Sequence, residues 1–375
     1  MTRRILAGGP VFDGTRLIPE GWVAVEAGRI AAIGDGPLPA GERLDLAGGI
    51  LSPGFVDLQV NGGGGRQFND DPSTGTLAVM AAAHRRLGST SILPTLITDS
   101  PDITRRAIAA VGEAVAAGIE GIAGLHLEGP HLALSRKGAH DPALIRPMED
   151  ADLELYCRAA AELPALLVTL APESASEAQV ARLVAAGAVV SLGHSDADYD
   201  TACRYAAAGA RMATHLFNAM SQLGHRAPGL AGAALSLPEL SAGIIADGVH
   251  VHPQMLRLAF AAKQGPGTLF LVTDAMAPAG TGEAGFTLNG RWIARRDGRL
   301  TLADGTLAGA DLQMVHAVGR LVREAGLPPG AALAAATRLP AAQIPALAGR
   351  GTLRVGAPAE LIRIEPDFSA AAPLP

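Results

Sequence analysis

Short apolar runs alternate with amphipathic stretches over most of this 375-residue chain. Eight of the runs have the length of β-strands: GFVDLQV, TSILPTL, GIAGLHL, ALLVTLA, AVVSLGH, RMATHLF, SAGIIAD and TLFLVTD. Most of the intervening stretches carry apolar residues at helical spacing, which predicts helices over 76–87, 103–117, 150–163, 177–186, 197–208 and 255–264. Because strands that alternate with helices build a parallel sheet, eight such units predict a (β/α)8 barrel of the α/β class.

The two ends of the chain show a different pattern. From Arg3 to about Gly49, and again from about Gly349, short β-like runs are separated by turn residues. Neither end is long enough to bury a core alone, so we expect the two ends to pair into one small β-sandwich. The predicted domains are therefore a sandwich of residues 1–52 and 349–375 and a catalytic barrel of residues 53–348.

Composition and charge limit the classes of protein to which the chain can belong. Hydrophobic residues make up 49% of the chain and charged residues 18%, as expected for a compact globular fold. The formal net charge of −6 and the lack of a basic run argue against nucleic acid or a membrane as partner. With two distant cysteines, no evident secretory signal and no long charge-free apolar stretch, the expected location is the cytoplasm.

Polar residues follow the apolar runs at the same end. In a barrel of this kind, chemistry takes place at the carboxyl ends of the parallel strands. A scatter of polar residues unrelated to function would not favour one end of so many strands. The residues at these ends are Gln59, Asn61, Glu128, His194, His215, Asp247, His250 and Asp274.

Three of these residues have the chemistry of a catalytic metal site. Zn²⁺ in such sites takes three protein ligands and keeps one position for water. Glu128, His194 and His215 supply one carboxylate and two imidazoles from three strand ends. The alternative for each residue alone is a hydrogen-bonded histidine or a surface carboxylate. His126 and His131, which flank Glu128 in HLEGPHL, are interpreted as a supporting or packing residue and a loop residue.

A series of motifs then resembles a known family. PGFVDLQVNG, GLHLEGPHL, SLGHSDADYDTA, THLFNAMSQLGHRAPGLAG, IADGVHVHP and LVTDAMAPAG are similar, in the same order, to those of the N-acetylglucosamine-6-phosphate deacetylase family of the amidohydrolase superfamily. The similarity extends from about Pro53 to GTLAGADLQM. It implies a (β/α)8 barrel, a divalent metal ion, and hydrolysis of the acetamide of N-acetylglucosamine 6-phosphate.

The resemblance also implies roles for individual residues. Glu128, His194 and His215 match the metal ligands, Asp274 the catalytic acid/base, and His140 the group that polarises the acetamide carbonyl. It further implies a homodimer, in which the arginine near the phosphate comes from a neighbouring subunit. The residues that match substrate contacts are Ala139, Asn218, Ala219, Arg226, Asp247, Gly248, Val249, His250, Leu307, Ala308 and Gly309.

The end of the first predicted strand indicates the number of metal ions. Many amidohydrolases have His-x-His there, whereas this chain has Gln59-Val60-Asn61. Amide oxygens bind transition metals more weakly than imidazole does, so we predict one tightly bound divalent ion per chain. Zn²⁺ is the expected ion, and Fe²⁺ is the alternative.

Other functions stay open at this stage. The substrate could instead be N-acetylgalactosamine 6-phosphate or another N-acetylated amino sugar, because sequence does not show which hydroxyl epimer the pocket recognises. A cyclic-amide hydrolase is a more distant option, since it would normally need the His-x-His and the bridging lysine that this chain lacks. A catalytically inactive scaffold is a further alternative, which the intact set of Glu128, His194, His215 and Asp274 disfavours.

Overall fold

The computed structural model describes residues 3–374, and within them eight parallel strands pair in chain order. Each of the eight apolar runs overlaps one of these strands, so the predicted (β/α)8 barrel is confirmed. The strands are β1 (Phe55–Val60), β2 (Ser89–Ile97), β3 (Leu125–Glu128), β4 (Leu166–Leu170), β5 (Val189–Leu192), β6 (Met212–Ala213), β7 (Ser241–Ile244) and β8 (Leu269–Leu271).

The six predicted helices form within two residues of their expected ends. Side-chain oxygens of Ser73, Ser100, Ser176 and Asp198 accept hydrogen bonds from first-turn N–H groups and fix four of the starts. The helices of the described part are α1 (Thr74–Arg86), α2 (Pro101–Ala116), α3 (Asp150–Glu162), α4 (Glu177–Ala185), α5 (Tyr199–Ala207), α6 (Gly229–Ser236), α7 (Pro253–Ala262), α8 (Met314–Arg323), α9 (Pro329–Ala336) and α10 (Arg338–Ala341).

Four helices, α6, α8, α9 and α10, were not predicted. Helices α6 and α9 are built almost entirely from alanine, glycine and leucine and are largely buried, so they show no polar face that would reveal a helical period. Two 3₁₀ turns, Leu134–Arg136 and Pro345–Leu347, complete the helical segments of the described residues. Because the sequences of α6 and α9 are uniformly apolar, neither helix could be recognised from a helical pattern of apolar and polar residues.

Strands from both ends of the chain pack together beside the barrel. One sheet has the order Arg29–Asp35, Gly21–Glu26, Arg4–Ala7, Glu42–Asp45, and the other has the order Ala371–Pro373, Leu361–Ile364, Ile50–Pro53, Val11–Phe12, Leu17–Ile18. Buried Leu6 and Val23 of the first sheet lie in one apolar cluster with Val11, Leu51 and Leu361 of the second. Both chain ends thus contribute to a small β-sandwich, while the exact domain boundaries stay a prediction.

An unpredicted sheet follows β8 and forms part of the roof of the barrel mouth. Its four antiparallel strands are Gly285–Leu288, Arg291–Arg296, Arg299–Thr301 and Leu307–Ala310. A short hairpin of Gly62–Gly63 and Arg66–Gln67 follows β1. Leu288 and Ala308 of the insertion lie in a small apolar cluster with Ile97 of β2. The last strand of the sheet brings the TLAGA motif to the mouth of the barrel.

Candidate metal centre and active site

Three potential metal ligands meet at the carboxyl end of the barrel. Glu128 ends β3, His194 lies two residues after β5, and His215 lies two residues after β6. Oε1 of Glu128 is 3.1 Å from Nε2 of His194 and 3.1 Å from Nε2 of His215, and the two Nε2 atoms are also 3.1 Å apart. All three side chains are buried. The barrel therefore brings residues that are far apart in sequence to a single point.

The backbone at this point is strained. His194, His215 and Asp274 have φ values of 49°, 31° and 53°, in the left-handed region that residues other than glycine rarely adopt. Such a conformation costs on the order of 1–3 kcal/mol for each residue and concentrates at functional sites. The three strained residues lie just beyond the ends of strands, and their side chains form the candidate centre.

The contacts of His194 suit a metal ligand. Its Nδ1 lies 2.8 Å from the backbone oxygen of Arg136, which can only accept, so Nδ1 carries a proton and Nε2 is the nitrogen that would bind an ion. That nitrogen faces Oε1 of Glu128 and Nε2 of His215. Ligand atoms around a tetrahedral Zn²⁺ lie roughly 3.3 Å apart, close to the observed separations.

Two amide side chains occupy the position of the usual His-x-His pair. Nε2 of Gln59 donates to Oε1 of Glu128 and to Oδ1 of Asp274, both at 3.2 Å. Nδ2 of Asn61 donates to the same Asp274 oxygen at 2.6 Å. Since carboxylates can only accept here, both amides present NH₂ groups to the centre, and an NH₂ group cannot bind a metal ion. The arrangement is that of a centre for one ion.

Asp274 has the properties of a proton acceptor. Burial and the nearby negative charge of Glu128 raise the pKa of the Asp274 carboxyl to about 6. A general base is most effective when its pKa lies near the working pH. The carboxyl also lines the cavity beside the three candidate ligands. Asp274 can therefore exchange a proton with a reacting group at near-neutral pH.

His140 presents a hydrogen-bond donor to the same cavity. Its Nδ1 accepts from the backbone N–H of Thr98 at 3.3 Å and lies 2.7 Å from Oγ1 of Thr98. Burial lowers the pKa of His140 to about 3, so the ring is neutral near pH 7. With Nδ1 acting as the acceptor, the proton resides on Nε2. The remaining N–H of the ring is available to a carbonyl oxygen in the cavity.

The centre opens into a cavity of about 240 Å³. Its wall contains the predicted metal ligands and acid/base together with Leu288 and Thr306 of the inserted sheet, which the sequence did not indicate. Arg291 of that sheet donates to the backbone oxygen of Ala139 at 2.6 Å and ties the roof to the loop that bears His140. The predicted substrate residues in the wall are Ala139, Asn218, Ala219, His250, Leu307, Ala308 and Gly309.

The remaining predicted substrate residues lie outside the cavity wall. Asp247 accepts from the backbone N–H groups of Val249 and His250 and from Nδ1 of His250, at 2.8, 2.8 and 2.6 Å. It therefore orients His250, and Gly248 and Val249 form the turn between the two residues. Arg226 is exposed on the loop before α6 and does not line the cavity of its own chain.

The other two histidines of HLEGPHL are buried and do not join the centre. Nδ1 of His126 lies 3.1 Å from Oγ1 of Thr95 and its Nε2 lies 2.8 Å from Oγ1 of Thr169. Nδ1 of His131 donates to the backbone oxygen of Arg146 at 3.1 Å. His131 lies in the loop after β3, as the sequence favoured, but its side chain is fully buried and has a structural role. Burial lowers the pKa of both rings to about 4.

The buried His131 predicts a loss of stability in mild acid. Its pKa of about 4 in the fold lies below the ordinary value of about 6.5, so the unfolded chain binds the proton more tightly between these pH values. The stabilisation is present above pH 6.5 and is lost as the pH falls towards 4. At pH 5 the loss from this ring is about 2 kcal/mol.

We expect the free energy of unfolding of His131→Gln to fall less between pH 7 and pH 5 than that of the wild type. Denaturant unfolding at the two pH values measures the difference. His225 is exposed, and His225→Gln is the matched control, which should keep the wild-type pH dependence. Equal pH dependence in wild type and His131→Gln would show that His131 does not carry the effect.

Comparisons with known proteins agree with this site. Residues 50–373 match the model of the Amidohydrolase family. The chain is 45% identical to an N-acetylgalactosamine-6-phosphate deacetylase of Shewanella sp. (strain ANA-3), over 79% of this chain and 74% of that protein. It is 38% identical to the N-acetylglucosamine-6-phosphate deacetylase of Homo sapiens, over 87% and 82%.

A solved structure is similar over the whole fold. A mutant N-acetyl-D-glucosamine-6-phosphate deacetylase of Mycobacterium smegmatis, in complex with N-acetyl-D-glucosamine-6-phosphate, superimposes with a TM-score of 0.92. The two sequences are 34% identical, and the match covers 100% of this chain and 98% of the other. No helix in residues 3–374 is long and apolar enough to cross a membrane.

A parallel barrel with one carboxylate and two imidazoles at its strand ends defines a hydrolase with a metal centre. The chain belongs to the amidohydrolase family and, within it, to the N-acetylglucosamine-6-phosphate deacetylases. The resemblance found in the sequence is thereby confirmed.

Proposed function

We propose that this enzyme hydrolyses the acetamide of N-acetyl-D-glucosamine 6-phosphate to give D-glucosamine 6-phosphate and acetate. The observation that supports this most directly is the arrangement of three candidate metal ligands, a buried carboxylate and a neutral imidazole donor around one cavity. Relatives that are 34–38% identical and match most of this chain carry this activity in their names.

Glu128, His194 and His215 would hold one divalent ion, for which we propose Zn²⁺, with Fe²⁺ as the alternative. The ion, when bound, supplies Lewis-acid activation of water and carbonyl oxygen. Gln59 and Asn61 direct NH₂ groups at the neighbouring carboxylates and so offer no second set of ligands. The proposal is therefore one ion per chain.

The side chains around this ion have complementary tasks. Asp274 accepts the proton of the attacking water and later delivers it to the departing amine nitrogen. Nε2–H of His140 donates to the carbonyl oxygen as negative charge develops on it. Gln59 and Asn61 hold the Asp274 carboxylate by donating to its Oδ1 atom, which leaves Oδ2 for the proton.

The phosphate needs a positive partner that the cavity wall does not provide. Among the described residues that line it there is no lysine or arginine, and His250 is held by the Asp247 carboxylate. Arg226 is exposed, and in the described part of the chain it has no recorded hydrogen bond or ion pair. We infer that the enzyme acts as a homodimer in which Arg226 of each chain reaches the phosphate in the partner's cavity.

N-acetyl-D-galactosamine 6-phosphate is a second candidate substrate. The relative from Shewanella that carries this name is 45% identical, more than the 38% of the human glucosamine enzyme, although it matches a shorter part of this chain. The two sugars differ only in the orientation of one hydroxyl group. Both present the same acetamide and phosphate, so the same metal ligands, together with Asp274 and His140, would serve either one.

Acetate release from the two phosphorylated sugars tests this proposal. We expect kcat/KM for N-acetylglucosamine 6-phosphate to exceed that for N-acetylgalactosamine 6-phosphate, and unphosphorylated N-acetylglucosamine to be a poor substrate. Arg226→Ala should raise KM for the phosphorylated sugar and leave the slow reaction of the unphosphorylated sugar unchanged. A higher kcat/KM for the galactosamine ester would favour the second candidate, and no acetate from either ester would contradict both.

A further inference from the structure

The barrel closes differently between β8 and β1 than between its other strands. In residues 3–374, strands β1 to β8 are joined in chain order by backbone ladders, but no such ladder joins β8 to β1. The junction contains a single bridge, between Val60 and Ala275, which lies beyond the end of β8. We call this junction, formed by residues 57–61 and 273–275, the seam.

A buried carboxylate spans the seam. Oδ1 of Asp57 in β1 accepts from the backbone N–H of Thr273 at 3.2 Å, and its Oδ2 accepts from Oγ1 of Thr273 at 2.5 Å. The same Oδ1 lies 3.3 Å from the backbone nitrogen of Gln59. Both side chains are buried, and no salt bridge to Asp57 is recorded in the described part of the chain. Three donors and no cation therefore surround this carboxylate.

A carboxylate in this position is costly. Burial raises the pKa of Asp57 to about 7, because the charged form loses its hydration. Barrel interiors are normally filled by branched apolar side chains, which would pack here without that cost. What the carboxylate provides is a fixed link between two strands that lack a ladder.

The link leads directly to the proposed acid/base. Thr273 precedes Asp274, whose backbone N–H donates to the oxygen of Gln59 at 3.0 Å. Ala275 follows it, and its oxygen accepts from the N–H of Asn61 at 2.8 Å. Asp57 thus holds the residue before Asp274, Gln59 holds Asp274 itself, and Asn61 holds Ala275. Gln59 lies in β1 and Asn61 directly follows it, and the side-chain amides of both donate to the Asp274 carboxylate.

We propose that Asp57 and Thr273 are positioning residues, which lock the seam so that the carboxylate of Asp274 stays in register with Gln59 and Asn61. This rests on the proposed role of Asp274 as acid/base. In the described part of the chain, neither Asp57 nor Thr273 lines the cavity or forms a hydrogen bond to Glu128, His194 or His215. Its loss should therefore affect proton transfer much more than binding of substrate or metal.

Thr273→Val, which keeps the shape and removes the hydroxyl group, tests the lock. A misplacement of about 1 Å can lower turnover by about 10²-fold, so we expect kcat to fall by about 10- to 100-fold. KM for the phosphorylated sugar and the metal content should stay within about twofold of the wild type. Thr273→Ser, which retains the hydroxyl group, should recover most of the turnover. Asp57→Asn, which replaces an acceptor by a donor, should lower kcat like Thr273→Val.

Thr337→Val is the matched control, because Thr337 is equally buried, donates to the backbone oxygen of Leu333 and lies away from the cavity. It should leave kcat unchanged. The lock would be disproved by an unchanged kcat in Thr273→Val, by an equal loss in Thr273→Ser, or by parallel losses of kcat, metal and melting temperature. A wild-type chain that releases no acetate from either ester would overturn the proposed function and this inference with it.

Discussion

Asp274→Asn should nearly abolish turnover. General acid/base catalysis contributes about 10²- to 10⁴-fold, and we expect kcat to fall within that range because an amide cannot accept the proton of the attacking water. The amide oxygen can still accept from Gln59 and Asn61, so the local packing should persist. Acetate release measured at saturating phosphorylated sugar, with the metal quantified in the same sample, checks this result.

The control for this variant is Asp102→Asn. Asp102 is an exposed carboxylate in the first turn of α2, paired with Arg105, and its replacement should leave kcat unchanged. An Asp274→Asn enzyme that retains metal and turns over within about tenfold of the wild type would refute the acid/base role. A drop in metal content in this variant would mean that Asp274 is itself a ligand.

Removal of the metal should abolish activity and also lower the melting temperature. An ion that binds the folded chain alone stabilises it by about 2.7 kcal/mol when its free concentration is a hundred times its Kd. The ion would be held by Glu128, His194 and His215, whose ligand atoms lie 3.1 Å apart. We expect one equivalent of Zn²⁺ to restore both the activity and the melting temperature after chelation.

Two histidine variants distinguish the loss of a metal ligand from a general loss of fold stability. His215→Gln should lose the ion, whereas His131→Gln, which replaces an equally buried ring outside the centre, should keep it. Elemental analysis and thermal denaturation with and without added Zn²⁺ measure both effects. Two strongly bound ions per wild-type chain would contradict the role given to Gln59 and Asn61.

The sequence pattern was sufficient to predict the barrel but not its roof. Strands and six helices repeat with periods that depend only on local geometry, and the apolar runs therefore predicted β1 to β8. The inserted sheet was missed although Asn289-Gly290 and Asp297-Gly298 are typical hairpin turns, so Leu288 and Thr306 were not expected in the cavity. The resemblance supplied the candidate ligands, whereas the three 3.1 Å separations between them came from the fold.

Some properties of the site depend on contacts that no local pattern encodes. The tautomer of His194 is set by the backbone oxygen of Arg136, and that of His140 by the backbone N–H of Thr98. Each partner is a main-chain atom of a distant segment, and every residue type offers the same atom. The sequence therefore indicated which imidazoles belong to the site but not which of their nitrogen atoms face it.

The sequence by itself determined the alternation of strands and helices, the ligand types at the strand ends and the Gln-x-Asn pair that indicates one ion. The tertiary structure brought Glu128, His194 and His215 to one point and placed Arg226 outside the cavity of its own chain. It also revealed the contact of Asp57 with Thr273 across 216 residues. Periodicity is a local property of the chain, whereas convergence of side chains requires the closed barrel.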